Sequence, residues 1–141
     1  MANTTFFKRN APQPLESQKI FFESKIDFSK KNVVSGDSFD LCDIPKGAVI
    51  SRIGWFVHTT QAGITFQVGN QNDDNVYLSA TGIGGNNTVV AVDPTYSSAT
   101  ADVVPTTSTN TLRVTVSGAN ATTAVVTFFV ELAVLGALNA S

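Results

Sequence analysis

The sequence predicts an all-β protein: an antiparallel β-sandwich or jelly-roll-like domain over residues 19–141, preceded by an extended N-terminal arm over residues 1–18. Three observations predict it. Thr and Val are the commonest residues at 17 each and fit a pleated sheet, while 12 Ser and 11 Asn fit turns. Short apolar-polar alternations recur at strand length, separated by Gly, Pro, Asn and Asp. No stretch shows a helical period, and no internal repeat appears. A length of 141 residues suits one domain, and a hydrophobic content of 43% is too high for a disordered chain.

The arm is read first. Pro12 and Pro14 lack a backbone donor and favour extended chain. Phe6 and Phe7 are out of place in a solvated tail but suit a segment that docks on a partner. With Lys8 and Arg9 they form the expected anchoring set; the alternative is a frayed end with incidental aromatics. Residues 19–28 then carry Ile20, Phe22 and Ile26 on alternate positions. Ser35-Gly36-Asp37 marks a turn, and 38–44 alternates Phe39 and Leu41 with polar residues. At Ile44-Pro45-Lys46-Gly47 the chain turns again, since Pro presets φ and Gly accepts a positive one.

Residues 49–59 read as a long strand. Val49, Ile53, Trp55 and Val57 fall on one face, and Ile50, Arg52, Gly54, Phe56 and His58 on the other. Gln61-Ala62-Gly63 reads as a hairpin loop into 64–68, where Ile64, Phe66 and Val68 alternate with polar residues. A polar loop at 69–75 precedes a short strand at 76–80. A Gly/Asn turn at 82–88 precedes another at 89–92. The Ser/Thr/Ala-rich stretch 94–109 is a surface excursion. Leu112, Val114 and Val116 alternate in the next strand, and Gly118-Ala119-Asn120 reads as a hairpin turn.

The closing strand, 125–135, differs from the rest. Val126, Phe128, Val130, Leu132 and Val134 make one face wholly apolar. The other face, Val125, Thr127, Phe129, Glu131, Ala133 and Leu135, is mostly apolar too. Such a strand is expected to be buried on both sides, and a single sandwich covers only one. A second copy of the chain is the economical cover, which makes Val125, Thr127, Phe129, Ala133 and Leu135 the expected subunit contact. The arm or the 94–109 excursion are the alternatives.

Composition excludes more functions than it supports. One Cys rules out an internal disulfide framework, and one His, His58, rules out multi-His metal sites. His58 lies outside any nucleophile motif and reads as structural, so no enzyme is expected. Cys42 has no neighbouring cation and reads as a small buried hydrophobe. Asp73-Asp74, among Asn70, Asn72 and Asn75, offers oxygen ligands but lacks the EF-hand spacing, and these residues also favour turns. No metal and no cofactor are expected.

Charge is uneven: the first 52 residues carry eight basic and six acidic groups, and the remainder one basic and five acidic. A net charge of −2 without an aromatic-basic repeat argues against nucleic acid as a partner. No apolar run is long enough to span a membrane, and residues 1–10 lack the apolar core of a secretion signal. Synthesis in a cytoplasm is the expectation.

Two stretches carry a resemblance. Phe39-Asp40-Leu41-Cys42-Asp43-Ile44-Pro45-Lys46-Gly47-Ala48-Val49-Ile50, followed by Phe66-Gln67-Val68-Gly69-Asn70-Gln71-Asn72-Asp73-Asp74-Asn75-Val76-Tyr77-Leu78, resembles small structural proteins of tailed-bacteriophage virions. The resemblance covers roughly residues 38–80 as a pattern of turns and strands. It implies a capsid decoration (cement) or head-fibre protein, made in a bacterial host and carried on the capsid surface. It further implies homotrimers that clamp the major capsid protein, with the arm as anchor, and it supplies no catalytic residues. A carbohydrate- or receptor-binding module on a head fibre or tail is the alternative. Trp55, Tyr77 and Tyr96 would then stack on sugar rings and Asp73 and Asp74 would supply polar contacts or hold Ca²⁺. That alternative requires an exposed Trp55, whereas its apolar face predicts burial.

Overall fold

A computed structural model describes residues 18–94 and 109–134. These form eight strands: β1 (Gln18–Asp27), β2 (Ser38–Ile44), β3 (Ala48–Thr59), β4 (Thr65–Gly69), β5 (Leu78–Gly82), β6 (Thr88–Val92), β7 (Asn110–Ser117) and β8 (Val125–Val134). Two four-stranded antiparallel sheets result, in the orders β1-β8-β3-β6 and β2-β7-β4-β5. They pack face to face, so the structure is an all-β, two-sheet antiparallel sandwich.

Only β4 and β5 are consecutive strands that pair with each other. This corrects two expectations. The turns at 61–63 and 118–120 have the chemistry of hairpins, with Gly63 at φ 86° and Gly118 at φ 83°, yet each carries the chain from one sheet to the other. The reason is core formation. The apolar sides of β3 and β4, and of β7 and β8, face each other across the sandwich, which an arch allows and a flat hairpin does not. The two arches are locked together by Gln61. Its Nε2 donates to the carbonyl of Asn120 at 2.6 Å, and its Oε1 accepts from the backbone N–H groups of Thr122 at 2.8 Å and Thr123 at 2.9 Å.

A β-bulge corrects the face assignment in β3. Ile50 pairs with Leu132 and Arg52 with Glu131, so Ser51 is an extra residue and the alternation changes phase there. Ala48 and Ile50 are therefore buried together with Ile53, Trp55 and Val57, while Val49 lies on the outer side. A similar irregularity at Leu41 of β2 lets Phe39, Leu41 and Cys42 all pack against the core. Cys42 fits its expected role as a small hydrophobe, and burial pushes its thiol up to about 11. The expected strand at 76–80 is displaced to β5. Val76 and Tyr77 are consecutive and both fully buried, which an alternating strand does not permit.

The centre of the core is aromatic. Phe66 lies 5.1 Å from Trp55 and 5.1 Å from Phe128 between ring centroids, both edge to face, and 6.1 Å from Phe28. These rings come from both sheets and hold them together. Trp55 is fully buried, and its Nε1 donates to the Ile83 carbonyl at 2.8 Å, which removes the cost of an unpaired indole N–H. Truncation of Phe128 to Ala is expected to cost about 3–5 kcal/mol of stability in urea unfolding, because the rigid neighbouring rings collapse little into the space.

Candidate interaction face

The two outer faces of the sandwich differ in chemistry. On the β2-β7-β4-β5 sheet the outward residues of β4 and β7 are Thr65, Gln67, Thr111, Arg113, Thr115 and Ser117. Thr65 and Ser117 share a hydroxyl hydrogen bond, and Arg113 Nε donates to Asp40 Oδ1 at 2.9 Å. This is a surface built for water.

The outer face of the β1-β8-β3-β6 sheet is aromatic. Period-two alternation puts Val126, Phe128, Val130, Leu132 and Val134 of β8 in the core at 0–7% exposure. It puts Val125, Thr127, Phe129, Glu131 and Ala133 on the outer side, where all are half-buried by neighbours in the same sheet. Phe129 stacks on Phe21 of β1 at 6.3 Å with 16° between ring planes. Its other neighbour is Gly54 of β3, paired with it in register. A Cβ at Gly54 would lie 2.8 Å from Phe129 Cζ and 2.3 Å from the Val90 carbonyl oxygen, so glycine is required for the ring to lie over the β3 backbone. Further along, Phe56 pairs with both Thr127 and Val89 and packs edge to face on His58 at 4.8 Å. Phe21 is 62% exposed and Val89 59% exposed.

The carboxylate at the centre of this face is paired within it. Lys19 Nζ lies 2.8 Å from Glu131 Oε1, and Ser51, the bulge residue, donates to the same carboxylate oxygen at 3.1 Å. Those hydrogen bonds, Lys19's above all, hold the Glu131 carboxyl below the usual glutamate range. His58 Nε2 and Thr127 Oγ1 share a hydrogen bond at 2.8 Å, so the single histidine is engaged structurally. The central carboxylate of this face therefore has its partners, with the Arg52 side chain exposed beside it on β3.

Of the residues singled out from sequence, Val125, Thr127, Phe129 and Ala133 share this outer face, while Phe6, Phe7, Lys8, Arg9 and Leu135 lie outside the described residues. Phe21, Phe56 and Val89 were not legible as members. They sit on three different strands, and only strand order brings them together. Tyr77 is fully buried like Trp55, which removes both as stacking platforms for a sugar; Tyr96 lies outside the described residues.

The 69–75 loop is a built turn. Asn70 is buried, and its Oδ1 accepts from the backbone N–H groups of Asn72 at 2.9 Å and Asp73 at 3.0 Å. Asp73 Oδ1 accepts from Asn75 N–H at 3.1 Å, the turn role open to such residues. Among the described residues no group of three His, Cys, Asp or Glu side chains is placed to hold a metal ion.

No family model matches the chain, and no curated protein matches its sequence. Solved structures do share its fold. A chain of the cyanophage Pam1 capsid asymmetric unit superposes at a TM-score of 0.63 with 17% identity, covering 94% of this chain and 97% of that one. A chain of the Ralstonia phage GP4 capsid gives 0.58 and 20%, covering 91% and 92%. A chain from the acidic stable capsid structure of Helicobacter pylori bacteriophage KHP30 gives 0.54 and 14%, covering 82% and 91%. At these identities the likeness is one of fold.

The Glu131 carboxyl titrates lower folded than unfolded, so its pairing adds stability above the ordinary glutamate range. That contribution is lost as pH falls from there through the depressed folded value. Glu131→Gln is therefore expected to flatten the acid limb of the stability–pH curve and leave its neutral and alkaline parts unchanged in shape, as read by thermal melts at stepped pH.

Proposed function

We propose that this chain is a non-enzymatic structural protein of a phage virion: a capsid decoration (cement) protein that trimerises and binds the major capsid protein through its N-terminal arm, stabilising the head. The carrying observation is the contrast between the two outer faces, one hydroxyl- and carboxamide-rich, the other aromatic with its central carboxylate paired. The three similar folds all come from phage capsids, which supports a capsid-surface location. The strand order β1-β8-β3-β6 over β2-β7-β4-β5 supports reading the sandwich as a jelly roll.

The face is large enough to matter. Strands of 10, 10, 12 and 5 residues at about 4.8 Å spacing present about 600 Å². A standard interface takes about 800 Å² from each partner, so the face supplies most of one. A three-fold ring needs this face to meet a different surface of the next copy. The edges β5 and β6 suit that role, because Leu78–Gly82 and Thr88–Val92 carry no charged residue. The opposite edges β1 and β2 carry Lys19, Glu23, Lys25, Asp27, Asp40 and Asp43, the charges that keep an edge strand from pairing. Phe6, Phe7, Lys8 and Arg9 then serve as capsid anchors. Three arms on one trimer gain avidity of about 10²–10⁴ when the shell offers matched sites.

Sedimentation equilibrium is expected to give a trimer. The double variant Phe21→Asp, Phe129→Asp is expected to give a folded monomer by circular dichroism, and a trimer in that variant would sink the assignment of the face. Removal of residues 1–18 is expected to leave the sandwich folded and trimeric but unable to bind empty capsids in a pelleting assay; undiminished binding would sink the anchor.

A further inference from the structure

The polar sheet carries a second feature, on the side of the sandwich away from the aromatic face. A cavity of about 440 Å³ opens there, lined chiefly by Ser38, Asn72, Asp73, Asp74, Arg113 and Thr115. Its frame is rigid. Gly69 packs so closely under the loop that a Cβ there would lie 2.0 Å from the Asp73 carbonyl oxygen. The Asn70 carboxamide ties down two backbone N–H groups. Gln71 fixes the loop to β7, donating to Asn110 Oδ1 at 2.9 Å and accepting from Thr111 N–H at 2.9 Å.

Three lining groups take no part in this framework. The Asn72 carboxamide and the Asp74 carboxylate make no hydrogen bond among the described residues. The Arg113 guanidinium uses only Nε, towards Asp40, which leaves its two terminal nitrogens as donors. An amide, a carboxylate and a guanidinium on a fixed frame present donors and acceptors side by side. Vicinal hydroxyls, each able to give and take a hydrogen bond, match that set. The charge is also mixed: an anion would meet Asp73 and Asp74, and a cation would meet Arg113. We infer that this cavity binds a neutral saccharide, with Asn72, Asp74 and Arg113 as its hydrogen-bonding groups.

Without an aromatic platform, one site gives only millimolar affinity. Copies arrayed on a particle make that useful, because linked weak sites gain by multivalency. The site lies opposite the aromatic face, so it stays open when that face is covered. The gain from arrayed copies rests on the proposed capsid role, whereas binding by a single site does not.

Saturation-transfer NMR on the full chain tests this with a panel of neutral hexose and N-acetylhexosamine disaccharides. At least one is expected to bind with millimolar affinity, with amide shifts centred on residues 70–74 and 113–115. Asn72→Ala with Asp74→Ala leaves the loop's backbone contacts intact and is expected to weaken that binding about tenfold or more while capsid binding is unchanged. Chelation with EDTA is expected to have no effect. No binder in the panel, shifts centred elsewhere, equal binding by the double variant, or loss of binding on chelation would each overturn the inference.

Discussion

Phe128 and Phe129 leave one strand in opposite directions, and most of the molecule is arranged around that fact. Phe128 enters the core between Trp55, Phe39 and Phe66, tying the two sheets together. Phe129 lies outside on Gly54 and against Phe21. β8 is central in its sheet, with β1 on one side and β3 on the other, so both rings are held by neighbours on each flank. The outer side of β8 keeps only Thr127 and Glu131 as polar groups, and both are engaged within the sheet.

The chain reaches this arrangement by passing repeatedly between sheets. Each crossing places strands distant in sequence beside each other, as β1 beside β8 and β3 beside β6. The arches must therefore hold their shape without the hydrogen bonds of a hairpin, and side chains supply that support: Gln61 spans both arches at one end, and the isolated Val33–Ala121 bridge ties the β1–β2 connection to the β7–β8 connection. Topologies rich in distant contacts form slowly, and a short, uncharged edge such as β6 is exposed to mispairing while they do.

The two faces imply a division of labour. On the aromatic side Glu131 is paired with Lys19 and Ser51, Glu23 and Lys25 lie along the β1 edge, and Arg52 is exposed beside Glu131 on β3. The other side spends its polar groups partly on internal order, as in the Thr65–Ser117 and Arg113–Asp40 contacts, and partly on none, as at Asn72 and Asp74. The same sandwich thus presents one largely aromatic surface and one largely polar surface.

Most strands and many of their inward residues were legible in the sequence alone. Side chains alternate every two residues, and apolar alternation is local, so Phe66, Val68, Leu112, Val114, Val116 and the even positions of β8 were legible as core. The mostly apolar outer side of β8 was legible as well. Sheet membership, the phase change at Ser51 and the company of Phe129 were decided only in three dimensions. A turn such as Gln61-Ala62-Gly63 bends the chain equally well into a hairpin or an arch, and the choice rests on which distant strand takes the hydrogen bonds. Phe21, Phe56 and Val89 lie on three strands far apart in sequence. Strand order, set by packing across the whole core, made them one surface.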